Sequence, residues 1–304
     1  MSAHARERVL GQPLDRLFAL YLLAAAPALV LAGRPPQWPL LLALHATGIM
    51  LGWPLPAVQH VVSRATPRVR RTIRVIFDWA PLLLVPLLYT ELATLNAAVH
   101  GGAYFDDLVI AWEQAIFRGQ PSRDWAAAAP RLWLSEPLHA AYLSYYFIIF
   151  VPPLVLFLKG RTAEFRAGVF ALMLAFFTHY IFFIYFPVQG PRYLYAPAGG
   201  ELAQGFFYQL AHRVLEAGSA QGAAFPSSHV GVSLAQTLIV WHYLPRLTPV
   251  IGLLTLGLAL GAIYGGFHYA TDAVAGALLG VAAFWLAPRL ARALTVAGAD
   301  PATL

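Results

Sequence analysis

Two histidines, each with polar company at short spacing, are the residues of this chain best suited to chemistry. His229 closes the run Phe225-Pro226-Ser227-Ser228-His229, and His268 opens the run His268-Tyr269-Ala270-Thr271-Asp272. In the first run, proline suits the opening turn of a helix and serine caps free amides, which makes an anion site that a phosphate fits. In the second, His268 and Asp272 are spaced i, i+4 and so share a helix face. A carboxylate there accepts one imidazole N–H, fixes the tautomer and leaves the other nitrogen nucleophilic. An aspartate inside a membrane helix is costly without a partner, which favours function; the competing reading is a structural His–Asp pair locking two helices.

The elements that must position these residues are membrane helices. About forty residues separate the two histidines and carry one charge, Arg246, close to the midpoint. At roughly 20 residues per crossing, residues 224–272 read as one helix down, a turn at Leu244-Pro245-Arg246, and one helix back. Both histidines then return to the same membrane face. Composition agrees: the 304 residues are 59% hydrophobic and 11% charged, with a mean hydropathy of +0.63, which excludes an ordinary soluble domain. The expected fold class is all-α, a polytopic membrane helix bundle of about eight transmembrane helices. The candidate spans are 14–31, 38–61, 75–99, 137–158, 167–187, 227–243, 247–265 and 267–290. The second holds or adjoins Pro39, Pro54 and Pro56 and is expected to be kinked.

Net charge is +6, but the basic residues sit in connecting segments, so the balance reports topology and no nucleic-acid partner is implied. The chain has no cysteine, which excludes thiolate chemistry, iron–sulfur ligation and disulfides. Residues 1–11 contain Arg6, Glu7 and Arg8 and show no cleavable leader pattern, so the first apolar segment is expected to be a retained helix. With the N-terminus cytoplasmic, the outer face receives six of the twenty basic residues, Arg34, Arg118, Arg123, Arg131, Arg192 and Arg213, and the cytoplasmic face the other fourteen. That bias favours both termini inside and both histidines at the extracytoplasmic face of the cell (inner) membrane.

Two outer segments remain. Residues 100–136 are too polar to span; their apolar Leu108, Ile110, Ala111, Ala115 and Ile116 suit a short amphipathic interfacial helix, with Asp106, Asp107 and Glu113 expected on a solvated face rather than at a cation site. Residues 188–225 open on Gln189-Gly190-Pro191-Arg192-Tyr193, and glycines at 199–200 and 218–222 suggest a mobile lid or portal. His45, His60, His100, His139, His179, His212 and His242 read as helix contacts or interfacial residues, with His179 the strongest exception. The aromatic stretches 142–150 and 176–186 read as packing and interface anchoring.

Pro226-Ser227-Ser228-His229 followed by His268-x-x-x-Asp272 resembles the second and third signatures of the type 2 phosphatidic acid phosphatase superfamily, KxxxxxxRP, PSGH and SRxxxxxHxxxD. Ser228 stands in the glycine place, Arg192 matches the first signature's arginine, and Tyr185 occupies the lysine place. No proline follows Arg192, and the serine and arginine places of the third signature hold Gly261 and Ala262. This departure, with Asp78-Trp79-x-Pro81 and Tyr142-Leu143-Ser144-Tyr145-Tyr146, is similar to the branch of inositol phosphorylceramide synthases, the aureobasidin targets, and their bacterial relatives. The resemblance covers residues 73–290 and implies two N-terminal helices over 1–72, a six-helix catalytic core over 73–291 and a short tail over 292–304.

It also implies roles. His268 is the nucleophile that forms a phosphohistidine, Asp272 orients it, and His229 protonates the leaving alkoxide. Arg192, Ser227 and Ser228 hold the phosphoryl oxygens. With two family cations missing, Gln189, Tyr193, Tyr185 and Tyr264 are possible substrate contacts; Glu91 either touches an acceptor hydroxyl or is structural. The arrangement requires no metal and no cofactor. The activity expected is transfer of a phosphoryl or phospho-headgroup from a membrane lipid phosphate or phosphodiester to a lipid or polyol alcohol, with a phosphatase acting on a phospholipid or polyprenyl phosphate as the alternative. A transporter fits eight spans but lacks an internal repeat. An intramembrane serine protease lacks a glycine-flanked serine in a helix, and the DxxDGxxAR pattern of CDP-alcohol phosphatidyltransferases is missing. A reporter fused after Leu304 is expected to read cytoplasmic; an extracytoplasmic signal would invert every loop and overturn the topology.

Overall fold

The computed structural model describes residues 10–31 and 37–295. The retained start before residue 10, the charges of Arg6, Arg8 and Arg34, and the tail beyond Thr295 lie outside the described residues. Among those described there is no strand, only an isolated bridge between Val188 and Ala223. The helices are α1 (Pro13–Leu31), α2 (Trp38–Gly52), α3 (Pro56–Arg64), α4 (Pro67–His100), α5 (Asp106–Phe117), α6 (Pro121–Ala128) and α7 (Leu132–Leu143). They continue as α8 (Tyr145–Leu158), α9 (Thr162–Tyr185), α10 (Pro191–Leu194), α11 (Phe206–Gly218), α12 (Ser228–Tyr243), α13 (Thr248–Tyr264) and α14 (Ala270–Ala293).

Among the described residues, five helices are long and apolar enough to cross a membrane, and seven spans result if two bent pairs each count as one. The expected 38–61 span is the pair α2 and α3, bent by 69° where Pro54 and Pro56 remove amide donors. The pair α7 and α8 bends by 42° at Ser144, whose hydroxyl donates to the Ala141 carbonyl at 2.6 Å. The eighth expected span is α12, and its 16 residues fall short. At roughly 1.5 Å per residue it rises about 24 Å, less than the roughly 30 Å hydrocarbon core.

The hairpin itself forms as its spacing predicts: α12 ends in a short 3₁₀ turn over Pro245–Leu247 and α13 returns. α12 and α14 pack more extensively than any other pair of described helices. Their backbones nearly touch because glycines line the contact. A Cβ on Gly276 would stand 2.2 Å from the Ser227 carbonyl oxygen, and one on Gly280 2.1 Å from that of Gly231. Gly231 in turn has His179 Nε2 where its Cβ would be, at 2.3 Å. This small-residue seam is the membrane route to close helix contact.

Buried charge ties the other end together. Arg74 on α4 donates to Asp15 of α1 at 3.1 Å and to Asp78 at 3.0 Å, and Arg166 of α9 reaches Asp78 at 3.1 Å. Each charge is thereby compensated where solvent cannot do it. Through α1 this network joins the first helix to the same hydrophobic core as α4, α9, α12 and α14.

One expectation for the outer segments is corrected. α5 is helical, but Asp106 and Glu113 are buried rather than solvated, with only Asp107 of the three exposed. The 188–225 connection contains α10 and α11, and α11 packs on α7 with its first amides, of Phe207 and Tyr208, donating to Glu136 at 3.1 Å each. A carboxylate at its N-terminus helps this glycine-flanked segment form a helix.

Gly276→Ala and Gly280→Ala are expected to cost about 1–3 kcal/mol by forcing the seam apart, with activity falling further. Gly252→Ala, whose nearest neighbour lies at 3.8 Å, is the control and should be tolerated. Equal melting temperatures and activities for all three would dismiss the seam as a constraint.

Candidate active site

The seam brings the start of α12 against the start of α14. Ser227 is the N-cap of α12: its Oγ accepts from the Val230 amide at 3.4 Å and its own amide donates to the Asp272 carbonyl at 2.9 Å. His268 does not lie on α14, as the i, i+4 spacing had suggested. It precedes the cap residue Tyr269, and Asp272 occupies the third helical position, accepting from the Tyr269 amide at 2.9 Å. The pair meets nonetheless, with His268 Nδ1 3.4 Å from Asp272 Oδ2. The amides of Phe267 and His268 both donate to the Ala262 carbonyl at 3.0 Å, which fixes the His268 backbone.

On its other side, His268 Nε2 faces His229 Nδ1 at 3.4 Å, and His229 Nε2 faces the Tyr142 hydroxyl at 3.4 Å. One orientation lets both contacts of His229 act as hydrogen bonds: Tyr142 O–H donates to His229 Nε2, and His229 Nδ1–H to His268 Nε2. The Asp272 carboxylate stands within ion-pair distance of His268 Nδ1 without a formed hydrogen bond. The Tyr145 ring packs on His229 at 4.4 Å. Burial holds the His268 imidazole down to about 4, with the Arg192 guanidinium acting the same way and the Ala224 backbone opposing. The ring is therefore neutral at physiological pH, with a lone pair to donate.

Arg192 sits on α10 with its guanidinium 5.0 Å over the Tyr193 ring, and its Nη1 is buried without a hydrogen-bond partner among the described residues. The loop that carries it is held by α5: the amides of Gln189 and Gly190 each donate to Asp106 at 2.9 Å, and Tyr269 O–H donates to Asp106 at 3.2 Å. From the same helix, Glu113 accepts from the Ala270 amide. α5 thus places one carboxylate under the Arg192 loop and a second at the N-terminus of the helix bearing Asp272. Burial pushes the Glu113 carboxyl up to about 7 from 4.5, against the Ala270 amide and with a contribution from Asp272.

Of the residues expected at the site, His229, His268 and Asp272 come together, and Arg192 is close enough for its charge to act on His268. Ser227 and Ser228 lie at the start of α12; Ser227 Oγ caps the Val230 amide, which leaves the Ser228 and His229 amides, without intrahelical partners, and the Ser228 hydroxyl as the groups that could meet an anion. Tyr193 bonds the Ser219 hydroxyl at 2.8 Å. Two expectations are corrected because the hydroxyls are committed elsewhere, and for Glu91 the pairing favours the structural alternative. Tyr185 O–H donates to Ala24 of α1 and Tyr264 O–H to Ala129, both at 2.7 Å, and Glu91 pairs with His45 of α2 at 3.3 Å. The two substituted signature places are filled by packing. A Cβ on Gly261 would lie 2.4 Å from the Leu138 carbonyl oxygen, and Ala262 is fully buried.

Sequence reasoning missed Tyr142, Tyr145, Asp106 and Glu113. The i, i+3 spacing of the two tyrosines was the available signal. The carboxylates gave none, since a polar residue on an amphipathic helix reads as solvated unless its partner is known.

Compared with known proteins, residues 106–286 match a family model described as the PAP2 superfamily. The match begins at the first residue of α5 and includes the histidine pair and Asp272. No curated protein and no solved structure matches.

A carboxyl raised above its unfolded value binds its proton more tightly in the folded chain, so Glu113 costs stability as pH climbs from 4.5 to about 7. In detergent, the apparent melting temperature of the wild type should fall across that window relative to Glu113→Gln, which has no such proton to lose. Parallel pH curves for the two proteins would refute this.

Proposed function

The chain belongs to the PAP2 superfamily, and from that premise we propose that it transfers a phosphoryl or phospho-headgroup from a lipid phosphodiester to an alcohol, as inositol phosphorylceramide synthases do. The coarser reading, a membrane enzyme of the phosphatase and phosphotransferase type, follows from the family and the apolar helices. The observation that carries the finer reading is the chain Tyr142–His229–His268–Asp272 beside the Arg192 guanidinium.

In this mechanism the His268 Nε2 lone pair attacks phosphorus and the bond to the leaving oxygen breaks. Asp272 stabilises the positive charge on the ring, while His229, cationic for this step with Tyr142 oxygen accepting from its Nε2–H, turns its Nδ1–H from His268 to the leaving oxygen and gives that proton to the departing alkoxide. The acceptor alcohol then attacks the phosphohistidine; His229 takes the alcohol's proton and the N–P bond breaks. Arg192 and the first-turn amides of α12 hold the non-bridging oxygens. Tyr142 and Tyr145 orient His229.

Donor preference follows from charge. One guanidinium suits a singly charged diester better than a dianionic monoester, because each absent cation costs more against the larger charge. The packing supports this at Gly261, where an added Cβ would meet the Leu138 carbonyl oxygen at 2.4 Å, and Ala262 beside it is buried and carries no cation. Hydrolysis of a lipid phosphate is the second reading, favoured by the same histidine chemistry if water reaches the phosphohistidine.

Purified protein in liposomes, given a phosphodiester lipid with and without ceramide, diacylglycerol or a polyol, is expected to divert product from water to the alcohol. His268→Ala should abolish turnover and Asp272→Asn reduce it about 10²–10⁴-fold. Ready hydrolysis of phosphomonoesters with no diversion by any alcohol would replace transfer with the phosphatase reading. Small, equal effects of the two substitutions in folded protein would reject the mechanism itself.

A further inference from the structure

The helices that carry the site also build a second feature at their far ends. A cavity of about 610 Å³ lies between the ends of α12 and α14, the first part of α9 and the start of α1. Its wall is apolar, with Phe170, Ile239, Phe284 and Trp285, and its polar lining includes Asp78, Arg166 and Arg292. From Asp272 to Arg292 along α14 is 20 residues, about 30 Å, so the cavity lies in the half of the membrane opposite the histidine pair. Two further contacts bring these elements together there: Arg161 beside α9 donates to the Tyr243 carbonyl, and Arg16 of α1 to that of Leu294.

Its chemistry selects an occupant. Arg74 and Arg166 are matched by Asp15 and Asp78, so that network is neutral as a whole and the unmatched charge of the lining is that of Arg292. Arg292 is exposed and makes no ion pair among the described residues. Trp241 and Trp285, 55% and 57% exposed, line the cavity, and exposed tryptophan towards the ends of membrane helices suits the boundary between headgroups and acyl chains. A water-soluble anion has no use for the apolar wall, and a neutral or zwitterionic lipid has no net charge to match the guanidinium. A lipid with an anionic headgroup uses both, which is the known behaviour of basic pockets between transmembrane helices.

We propose that this cavity binds one acidic phospholipid of the leaflet opposite the histidine pair, its phosphate toward Arg292 and its acyl chains along Phe170, Ile239 and Trp285. The site is separate from the catalytic one, so it stands whether the enzyme transfers or hydrolyses.

The test uses full-length protein carrying His268→Ala, to remove turnover, and native mass spectrometry after exchange with phosphatidylglycerol or phosphatidylcholine of identical acyl chains. One phosphatidylglycerol should be retained with a preference of about tenfold, and Arg292→Gln should reduce its retention about fivefold. Trp285→Ala should weaken retention of the same lipid, and Arg192→Gln should leave it unchanged. Both Arg292 and Trp285 are exposed, so neither variant endangers the fold. Equal retention of the two lipids, or indifference to Arg292→Gln, would overturn the proposal. Loss with Arg192→Gln would move the lipid to the histidine site and overturn it as well. Binding of neither lipid until residues 296–304 are removed would assign the cavity to the chain's own end and would likewise overturn the proposal.

Discussion

The contact on which this structure depends is the backbone approach of α12 to α14. Gly231, Gly276 and Gly280 allow the helices to touch where any side chain would collide with a neighbouring backbone or ring. Without that approach the Ser227 amide does not reach the Asp272 carbonyl, and His229 Nδ1 does not face His268 Nε2. In a bilayer, where apolar side chains gain little by leaving lipid for protein, close van der Waals packing and interhelical hydrogen bonds are the available adhesion. The geometry of the site and the packing are therefore one feature.

Buried carboxylates do the remaining positioning. A charge removed from water must find donors, and helix N-termini and loop amides are the donors at hand. Asp106 and Glu113 use them on opposite sides of the site, so that α5 links the Arg192 loop to the start of α14. Asp15, Arg74, Asp78 and Arg166 meet the same demand at the other end, where they fasten α1, α4 and α9. Distributing polar ties to both ends leaves the middle of the bundle to Leu, Phe and Ala packing.

The departures from the family signatures acquire a physical meaning in this frame. Gly261 lies against the α7 backbone and Ala262 is buried with its carbonyl receiving two amides, so these places serve the placement of His268 instead of presenting a cation. Tyr185 is turned to α1. What is left around the histidines is the Arg192 guanidinium and a group of tyrosine rings, an environment with less positive charge and more apolar surface than the full signatures describe.

Some of this was legible in the sequence. Hydropathy and span length require a helical membrane protein, because backbone groups in lipid must be satisfied within a helix. The single turn between two apolar runs returns both histidines to one face, and the close spacing of His268 and Asp272 keeps them within reach even though the helix begins after His268. These are local properties, set by rise per residue and by turn residues. The tertiary structure alone decided the contacts between distant residues. Tyr142 meets His229 across 87 positions, Glu113 meets Ala270 across 157, and Asp106 meets Tyr269 across 163. It also decided that Glu91 pairs with His45, that Tyr185 and Tyr264 serve as ties, and that Asp106 and Glu113 are buried rather than solvated. The physical reason is that a side chain's role is fixed by its partner, and partners this far apart in the chain are chosen only when whole helices pack.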